Sequence, residues 1–576
     1  MDRLAIARQL REIGLLLELQ GGSPFKARAY ERGSRALEAL AADLGLLVDQ
    51  DRLTEIPGIG RALAGTIREL HRTGRSEQLE RLRAALPPGV LELHQVPGLT
   101  VPRIAALHQA LGIASLQGLR AALEAGCVRA VRGFGEKTEA KLLAGLRRLE
   151  AQGERFLLHR ATAEGEQLVA HVRSGPGVAQ AELAGALRRR EETVDRLVVA
   201  VAVGSADAAK ALDHVTRYPA VLAPVSRAAG AVTLRLASGL LVDAEVAEPR
   251  ALPGLLHALT GSEAHRARLG ERARAHGLAL DRWGLADPRS GRRPIETEAD
   301  LYHRLGLPYL PPEARDEAVD LDEAAARCGG ADLVQESDIR GMVHCHTVYS
   351  DGADTVEVMA RAAQALGMRY LTVTDHSPTA SYAGGLSLDR LRRQWDEIAR
   401  VQEKVAGLTI LRGTESDILA DGRLDYPDSV LEQLDVIIAS IHNRHRMDEA
   451  QMTRRLVQAM RHPCFKIWGH ALGRYVLRRP PIACRMEEVL DAAAESRVAI
   501  EVNGNPHRLD MEPRWQREAA RRGLRFVVST DAHSTAELRH LRYGIDMARR
   551  GLLGSADVLN TLPLPAFRRA VKPTGP

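Results

Sequence analysis

The residues best suited to chemistry gather beyond residue 338, where at least six apolar runs end in a metal-type side chain. IRGMVHCH ends at His344 and His346, YLTVTDH at His376, LTILRGTE at Glu415, VIIASIH at His442, FKIWGH at His470, and FVVSTDAH at Asp531 and His533. Asp351 follows the first run in YSDG, and a further run, VAIEVN, ends at Glu501 and Asn503 without an obvious ligand. Six imidazoles and three carboxylates on one rim are enough for two or three divalent ions, which points to metal-assisted hydrolysis. Apolar runs that alternate with helical segments and carry polar residues at their C-terminal ends follow the plan of a β/α barrel with one active face. Cys345, between His344 and His346, should point to the opposite side of its strand.

The remaining elements must position that rim. At 576 residues the chain is too long for one domain, and three or four are expected. Its 45% hydrophobic and 27% charged content is that of an ordinary globular protein. No apolar run approaches ~18 residues, and the opening MDRLAIARQLREIGLLLELQ reads as an amphipathic helix interrupted by charges. No membrane partner and a cytoplasmic location are therefore expected. The five cysteines form no CxxC pair, which signals neither a disulfide framework nor a thiolate zinc site. Residues 1–150 hold 22 Lys and Arg against 17 Asp and Glu, which accounts for the whole net charge of +5. That mild basic bias is compatible with a polyanion and does not identify one.

Residues 1–150 read as short helices in which one unit recurs: IPGIGRALAGTIREL at 56–70, VPGLTVPRIAALHQAL at 96–111, and VRGFGEKTEAKLLAGL at 131–146. Gly58 and Gly60, and again Gly133 and Gly135 ahead of Lys137, allow a tight turn that leaves amides at a helix N-terminus. Such amides, with the helix dipole, suit a phosphate and read backbone rather than bases. Three units point to helix–hairpin–helix binding of DNA without sequence preference. Thr100 replaces the second glycine of the middle unit.

The segment SPFKARAYERGSRAL (23–37), followed by IPGIG and HRTGRSEQLERL, resembles the N-terminal domain of family X DNA polymerases of the bacterial type that carries a C-terminal PHP domain. The resemblance covers essentially the whole chain. It implies that Lys26 and Tyr30 face a DNA 5′-phosphate. The lysine that gives some relatives deoxyribose-phosphate lyase activity falls at Thr66, which cannot form the imine.

Residues 185–199, GALRRREETVDRLVV, resemble the family's glycine–serine motif and its strand bearing Asp-x-Asp, whose paired carboxylates hold two Mg²⁺ ions. Here the serine position is Ala186 and the aspartates fall on Arg196 and Val198. Shifting by one brings in Asp195, but with Leu197 as its partner. The third carboxylate is retained as Asp243, Arg189 matches, and LTGSEAH (259–265) resembles the nucleotide-contacting turn. A cationic Arg196 where a metal ligand belongs opposes metal binding. Template-directed synthesis is thus expected to be weak or lost, with the palm kept as a scaffold that holds DNA.

HCHTVYSDG, TDHS, GTESDI, SIH, GHALGR and STDAHS resemble the PHP phosphoesterase domain. Departures are confined to Met342 and Ala471, neither of them a ligand. The resemblance implies a distorted seven-stranded β/α barrel with nine metal ligands: His344, His346, Asp351, His376, Glu415, His442, His470, Asp531 and His533. Mixed imidazole and carboxylate donors favour Zn²⁺ or Mn²⁺ over Mg²⁺. Glu415 suits a bridging position. Asp375 either orients a ligand or caps a helix, and Arg474, with Arg444 second, would grip the substrate phosphate.

The expected architecture is multidomain: an all-α N-terminal domain over 1–80, a helix–hairpin–helix region over 81–150, an α/β nucleotidyltransferase-like palm and thumb over 151–315, a linker over 316–337, and the PHP barrel over 338–576. The expected function is DNA-end processing in base excision repair, by a monomer acting on gapped, nicked or 3′-ended DNA. The activity is 3′–5′ exonuclease, with abasic-site endonuclease and 3′-phosphatase activity as extensions. The alternatives are a small-molecule phosphatase of the histidinol-phosphatase type, a still-active gap-filling polymerase, and a DNA-binding scaffold with structural metals.

Overall fold

The computed structural model describes all residues except 1–2, 21–23, 40–43, 57, 87–88, 95, 97, 153–154, 288, 290, 294, 331 and 574–576. Ser23, Pro57 and Pro97 of the sequence motifs lie outside the described residues. The chain forms two compact units, Met1–Glu154 and Arg155–Pro576.

The first unit is helical throughout its described residues, around a core that includes Ile59, Ile67, Leu99, Ile104, Phe134 and Leu142. Its three hairpins are near copies. Gly58, Gly98 and Gly133 hold φ of 89°, 94° and 91°, the left-handed region that only glycine enters cheaply. The next residue in each turn donates back three positions: Ile59 to Ile56, Leu99 to Val96, and Phe134 to Val131. A helix follows at once: Arg61–Thr73, Val101–Leu111 and Glu136–Gln152. Thr100 fits the middle hairpin because that position is extended, with φ −89° against −83° at Gly60. The expected boundary at 150/151 falls inside the helix Glu136–Gln152, and that at 80/81 inside Glu77–Ala84. Both are corrected by helical periodicity that runs on past them.

The second unit begins with a five-stranded sheet in the order Val178–Ala184, Arg196–Val203, Leu241–Ala247, Ala231–Leu236, Val221–Ala228. The strand Arg196–Val203 is almost wholly buried, as the β-branched run LVVAVAV requires. Helices Leu252–Thr260, Glu263–Ala275 and Glu298–Arg304 and a small antiparallel sheet follow. The stretch expected as a linker carries the helix Leu321–Gly330.

Seven parallel strands then line up in chain order: Gly341–Met342, Tyr370–Val373, Thr409–Asp417, Val436–Ser440, Ile467–Trp468, Ala499–Asn503 and Phe526–Ser529. A bridge between Cys345 and Ala532 joins the first run to the last, so the sheet curls into a nearly closed barrel. Val343, Leu411, Ile438, Ile467 and Val527 fill its interior, and the C-terminal helix Leu564–Val571 adds Phe567 and Val571. Cys345 is buried in apolar surroundings, as strand alternation predicts.

One close approach fixes the start of the barrel. A Cβ on Gly341 would lie 1.9 Å from the ring of Tyr370. That ring is buried and stacked on Phe567 at 4.8 Å, so it has nowhere to retreat. Gly341→Ala should therefore lower the thermal midpoint of the full chain, by a loss of about 1–3 kcal/mol. An unchanged melt would show that the ring yields freely.

Candidate metal centre

Each barrel strand delivers its polar residue at its C-terminal end, and there the nine expected side chains converge. Glu415 lies at the middle. Its Oε2 is 3.0 Å from Nδ1 of His376 and 3.5 Å from Nε2 of both His344 and His346. Its Oε1 is 2.7 Å from Nε2 of His470 and 3.1 Å from Nε2 of His442. Asp531 Oδ1 is 3.2 Å from Nε2 of His346 and 3.6 Å from that of His344. Asp351, the most exposed of the nine, has Oδ1 3.4 Å from Nε2 of His533 and 3.6 Å from that of His376.

Three groups have donor atoms close enough to hold an ion: His346, Asp351, His376 and His533; His344, His346, Glu415 and Asp531; and His376, Glu415 and His442. The groups share His346, His376 and Glu415, so they form one continuous centre. The donors fit metal ions on a second ground. Nε2 of His344, His346 and His442, Nδ1 of His376 and Oε2 of Glu415 are buried and make no well-directed hydrogen bond. Polar atoms left so in a protein interior are costly unless something else engages them.

Charge coupling runs through the whole centre. Burial opposes ionisation of Glu415, yet the imidazoles of His442, His376, His344 and His470 hold it well below the usual carboxylate range. Asp531 behaves alike, with burial outweighed by His344, His346 and Arg508. Against burial, the Asp351 hydrogen bond brings His533 up to about 10, and Glu415 and Asp417 bring His442 up to about 9. Burial takes His376 down to about 3.

The rim depends on residues that sequence reasoning did not assign. Glu501 accepts from Nδ1 of His344 at 2.5 Å and from the backbone N–H of His470 at 2.5 Å. Asp417 accepts from Nδ1 of His442 at 2.7 Å, and the carbonyl of Asp531 from Nδ1 of His533 at 2.9 Å. These contacts select the tautomer that leaves Nε2 as the free donor atom of each ring. The signals were available: Glu501 ends a strand like the ligands do, and Asp417 lies two residues beyond Glu415, on the same side of its strand. His470 and Asp531 also have φ of 22° and 51°, backbone strain that no residue pattern announced.

Of the two readings left open for Asp375, its contacts fit the orienting of a ligand, while the reading of Arg474 needs correction. Asp375 lies behind the donor atoms rather than among them. Its carboxylate accepts from the backbone and hydroxyl of Thr347, the backbone and hydroxyl of Ser350, and Nε2 of Gln394. It braces the loop after the first strand, the loop that carries Asp351. Arg474 does not face a substrate. It is buried, and its five donors go to Glu192 (twice), Glu512 and the carbonyls of Arg508 and Leu509. Arg444 is exposed, with φ of 58°. The arginine that does reach the centre is Arg508, whose Nε lies 3.2 Å from Oδ2 of Asp531.

In the five-stranded sheet, Val198 pairs with Asp243, and Gly185 packs on the Val198 side chain. Nη1 of Arg196 donates to Oδ2 of Asp243 at 2.8 Å, Nε to Asp195 at 3.2 Å, and Thr233 donates to the other Asp243 oxygen at 2.7 Å. Both carboxylate oxygens of Asp243 are thus engaged. Arg189, which matches the family pattern, is tied to Glu191 and to the carbonyl of Thr260, and Ala186 is half-buried. Ser262 of the LTGSEAH turn caps its helix by accepting from the N–H of His265.

In the first unit, a Cβ at Gly58, Gly60, Gly133 or Gly135 would meet nothing within 4 Å. Gly60 and Gly135 do not have positive φ, so neither strain nor crowding inside the fold demands glycine there. Lys137 and Lys26 are exposed, while Tyr30 donates to Gln78 at 2.6 Å. Thr66 is buried in its helix, with its hydroxyl on the Ala62 carbonyl.

Known proteins share this layout. Family models match a helix-hairpin-helix domain at residues 1–76, a DNA polymerase beta thumb at 255–316, and a PHP domain at 343–505. The DNA polymerase/3′-5′ exonuclease PolX of Bacillus subtilis is 31% identical over 98% of this chain and 98% of its own length. The chain belongs to the PolX family. Probable phosphatases are similar to part of the chain: one of Caldanaerobacter subterraneus at 31% over 33% of this chain and 74% of its own, and one of a Thermoanaerobacter species at 27% over 38% and 89%. The PHP match stops before Asp531 and His533, which the last strand brings to the same rim. PHP domains are metal-dependent, and the helix–hairpin–helix and thumb segments mark a PolX chain as DNA-binding. Among the described residues, no helix is long and apolar enough to cross a membrane.

Removing the charge that orients His344 tests this arrangement. Glu501→Gln should weaken metal binding by about 10–100-fold, read by competition with a chelator at neutral pH, while the melt of the metal-free chain stays close to the original. Unchanged metal affinity would remove Glu501 from the centre.

Proposed function

We propose that this chain processes DNA ends, hydrolysing phosphodiesters at the PHP rim as a 3′–5′ exonuclease, and that its polymerase function is weak or lost. The observation that carries the reading is the Glu415 carboxylate, which offers one oxygen to the His344, His346 and His376 side and the other to the His442 and His470 side. A shared carboxylate of this kind suits a multinuclear hydrolase. A structural ion needs only a closed set of four ligands.

Zn²⁺ or Mn²⁺, two or three in number, would be held by His344, His346, Asp351, His376, Glu415, His442, His470, Asp531 and His533. When bound, the ions supply a nucleophile at neutral pH and offset charge at the phosphate. The protein's part is to orient. Glu501 and Asp417 hold the tautomers of His344 and His442. Asp375 fixes the loop that presents Asp351. The hairpin amides, with Lys137 at the start of the third hairpin's helix and the exposed Lys26, suit the phosphates of gapped, nicked or 3′-ended DNA without regard to sequence. The same chemistry extends to abasic-site cleavage and 3′-phosphate removal in base excision repair, by a monomer.

Loss of polymerase function follows from charge. A metal pair needs at least two carboxylates on one side of the strand, and here Arg196 occupies that side and holds Asp243. The small-molecule phosphatase alternative is disfavoured because the probable phosphatase of Caldanaerobacter subterraneus covers 33% of this chain, while this chain also carries helix–hairpin–helix and thumb segments ahead of the PHP domain.

The wild type and a His344→Ala, His346→Ala variant should be given 3′-recessed DNA and histidinol phosphate with Mn²⁺. Nucleotide release from DNA by the wild type alone is expected. Hydrolysis of histidinol phosphate without DNA degradation would replace this reading with the small-molecule one. On a gapped template with Mg²⁺ or Mn²⁺, no sustained extension is expected; efficient gap filling would refute the loss of polymerase function.

A further inference from the structure

The commitment of all five Arg474 donors leaves the rim without the phosphate grip expected of it, and shows where that grip lies. Arg474 Nε holds the carbonyl of Arg508 at 3.0 Å, and Nη2 holds the carbonyl of Leu509. The same guanidinium is gripped by both oxygens of Glu192, at 2.8 and 3.1 Å. Glu192 belongs to the polymerase-like part of the second unit, just before the strand Thr193–Val194. The loop after the sixth barrel strand is therefore pinned from behind. Two more contacts add to this: the Leu472 N–H donates to Asp510, and Val476 N–H to the carbonyl of His507.

What the pinned loop presents is Arg508. Its Nε meets Oδ2 of Asp531, whose Oδ1 faces His344 and His346. Its guanidinium lies 4.7 Å from the ring centroid of Tyr475, and that of Arg479 lies 4.5 Å from the same ring. Arg479 makes no ion pair among the described residues, and its Nε is buried without a hydrogen-bond partner. Two guanidiniums on one aromatic ring, one of them unsatisfied, repel each other unless an anion joins them. At the edge of a phosphoesterase centre, that anion is the phosphate of the substrate.

We propose that Arg508 and Arg479 form the phosphate clamp of the rim, and that Glu192 is a positioning residue that sets the clamp through Arg474. The inference rests on the phosphoesterase reading. It also gives the polymerase-like half a present role, in which the segment next to its lost metal site aligns the hydrolytic one.

The test uses the full chain loaded with Mn²⁺. Metal content, melting temperature, binding of inorganic phosphate by calorimetry, and kcat/KM on 3′-recessed duplex are measured for each variant. Arg508→Ala should keep its metal and its melt and lose about 10²-fold in kcat/KM, the scale for one charge-stabilising donor. Arg508→Lys should recover part of that, and Arg479→Ala should weaken phosphate binding several-fold. Glu192→Gln should cost about 10-fold alone but under about 2-fold in the Arg508→Ala background, since a positioning residue loses its effect with its target. Full activity and phosphate affinity in both arginine variants would overturn the clamp. A Glu192→Gln cost that multiplies with that of Arg508→Ala would overturn the positioning. Should the wild type leave DNA intact, the phosphoesterase reading falls, while phosphate binding still decides the clamp.

Discussion

The rim is organised around a carboxylate that must stay ionised where water does not reach. Burying a bare charge costs several kcal/mol even after relaxation. Glu415 is almost fully buried, and five imidazoles arrive around it from four other strand ends, four of them holding it charged. No local structure can supply that, because the five come from residues 344 to 470. A barrel can, since parallel strands in register bring their C-terminal ends to one ring. The nearly closed seven-strand sheet, the interior filled by Val343, Ile438 and Val527, and the Phe567 plug all serve to fix those ends. The left-handed φ at His470 and Asp531 is tolerable only inside such a frame.

The same electrostatic logic, run in reverse, accounts for the other half of the unit. Carboxylates on one strand face hold Mg²⁺ only while they remain unpaired with protein cations. Arg196 ends that condition at Asp243, and Arg189 is spent on Glu191 and the Thr260 carbonyl. Arg196 and Asp243 thus form an ion-paired edge of the sheet. Their neighbour Glu192 reaches the barrel through Arg474. One half of the unit keeps its charge imbalance for metal, and the other has resolved it internally.

How much of this was legible follows from the range of each interaction. The ligands could be read because each ends an apolar run, and strand periodicity with barrel topology converts that local mark into a shared rim. The barrel, the helical first unit and the hairpins were legible for the same reason: their signals lie within a few residues. Glu501 and Asp417 carried half a signal, a carboxylate in a ligand-like place, but their partners His344 and His442 lie in other strands. Arg474 was misread because a motif reports that a guanidinium is present and not what engages it. Glu192, more than 280 residues away in sequence, settles that question. Asp375 was left between two roles, and its contacts favour the orienting one, since its five donors come from a loop and a helix that only the fold brings near.

The hairpins show the complementary case, where sequence suggests a weakness that geometry removes. Each turn has two demands. Its first glycine must take positive φ, and Gly58, Gly98 and Gly133 all do. Its second position is extended, so a threonine there costs no strain, and Thr100 keeps the backbone of its hairpin close to the other two. What Thr100 changes is space and not conformation: a side chain now stands where Gly60 and Gly135 leave the helix N-terminus open. The three units are therefore equal as folding elements and unequal in the space they leave at the helix N-terminus, which is open in the first and third.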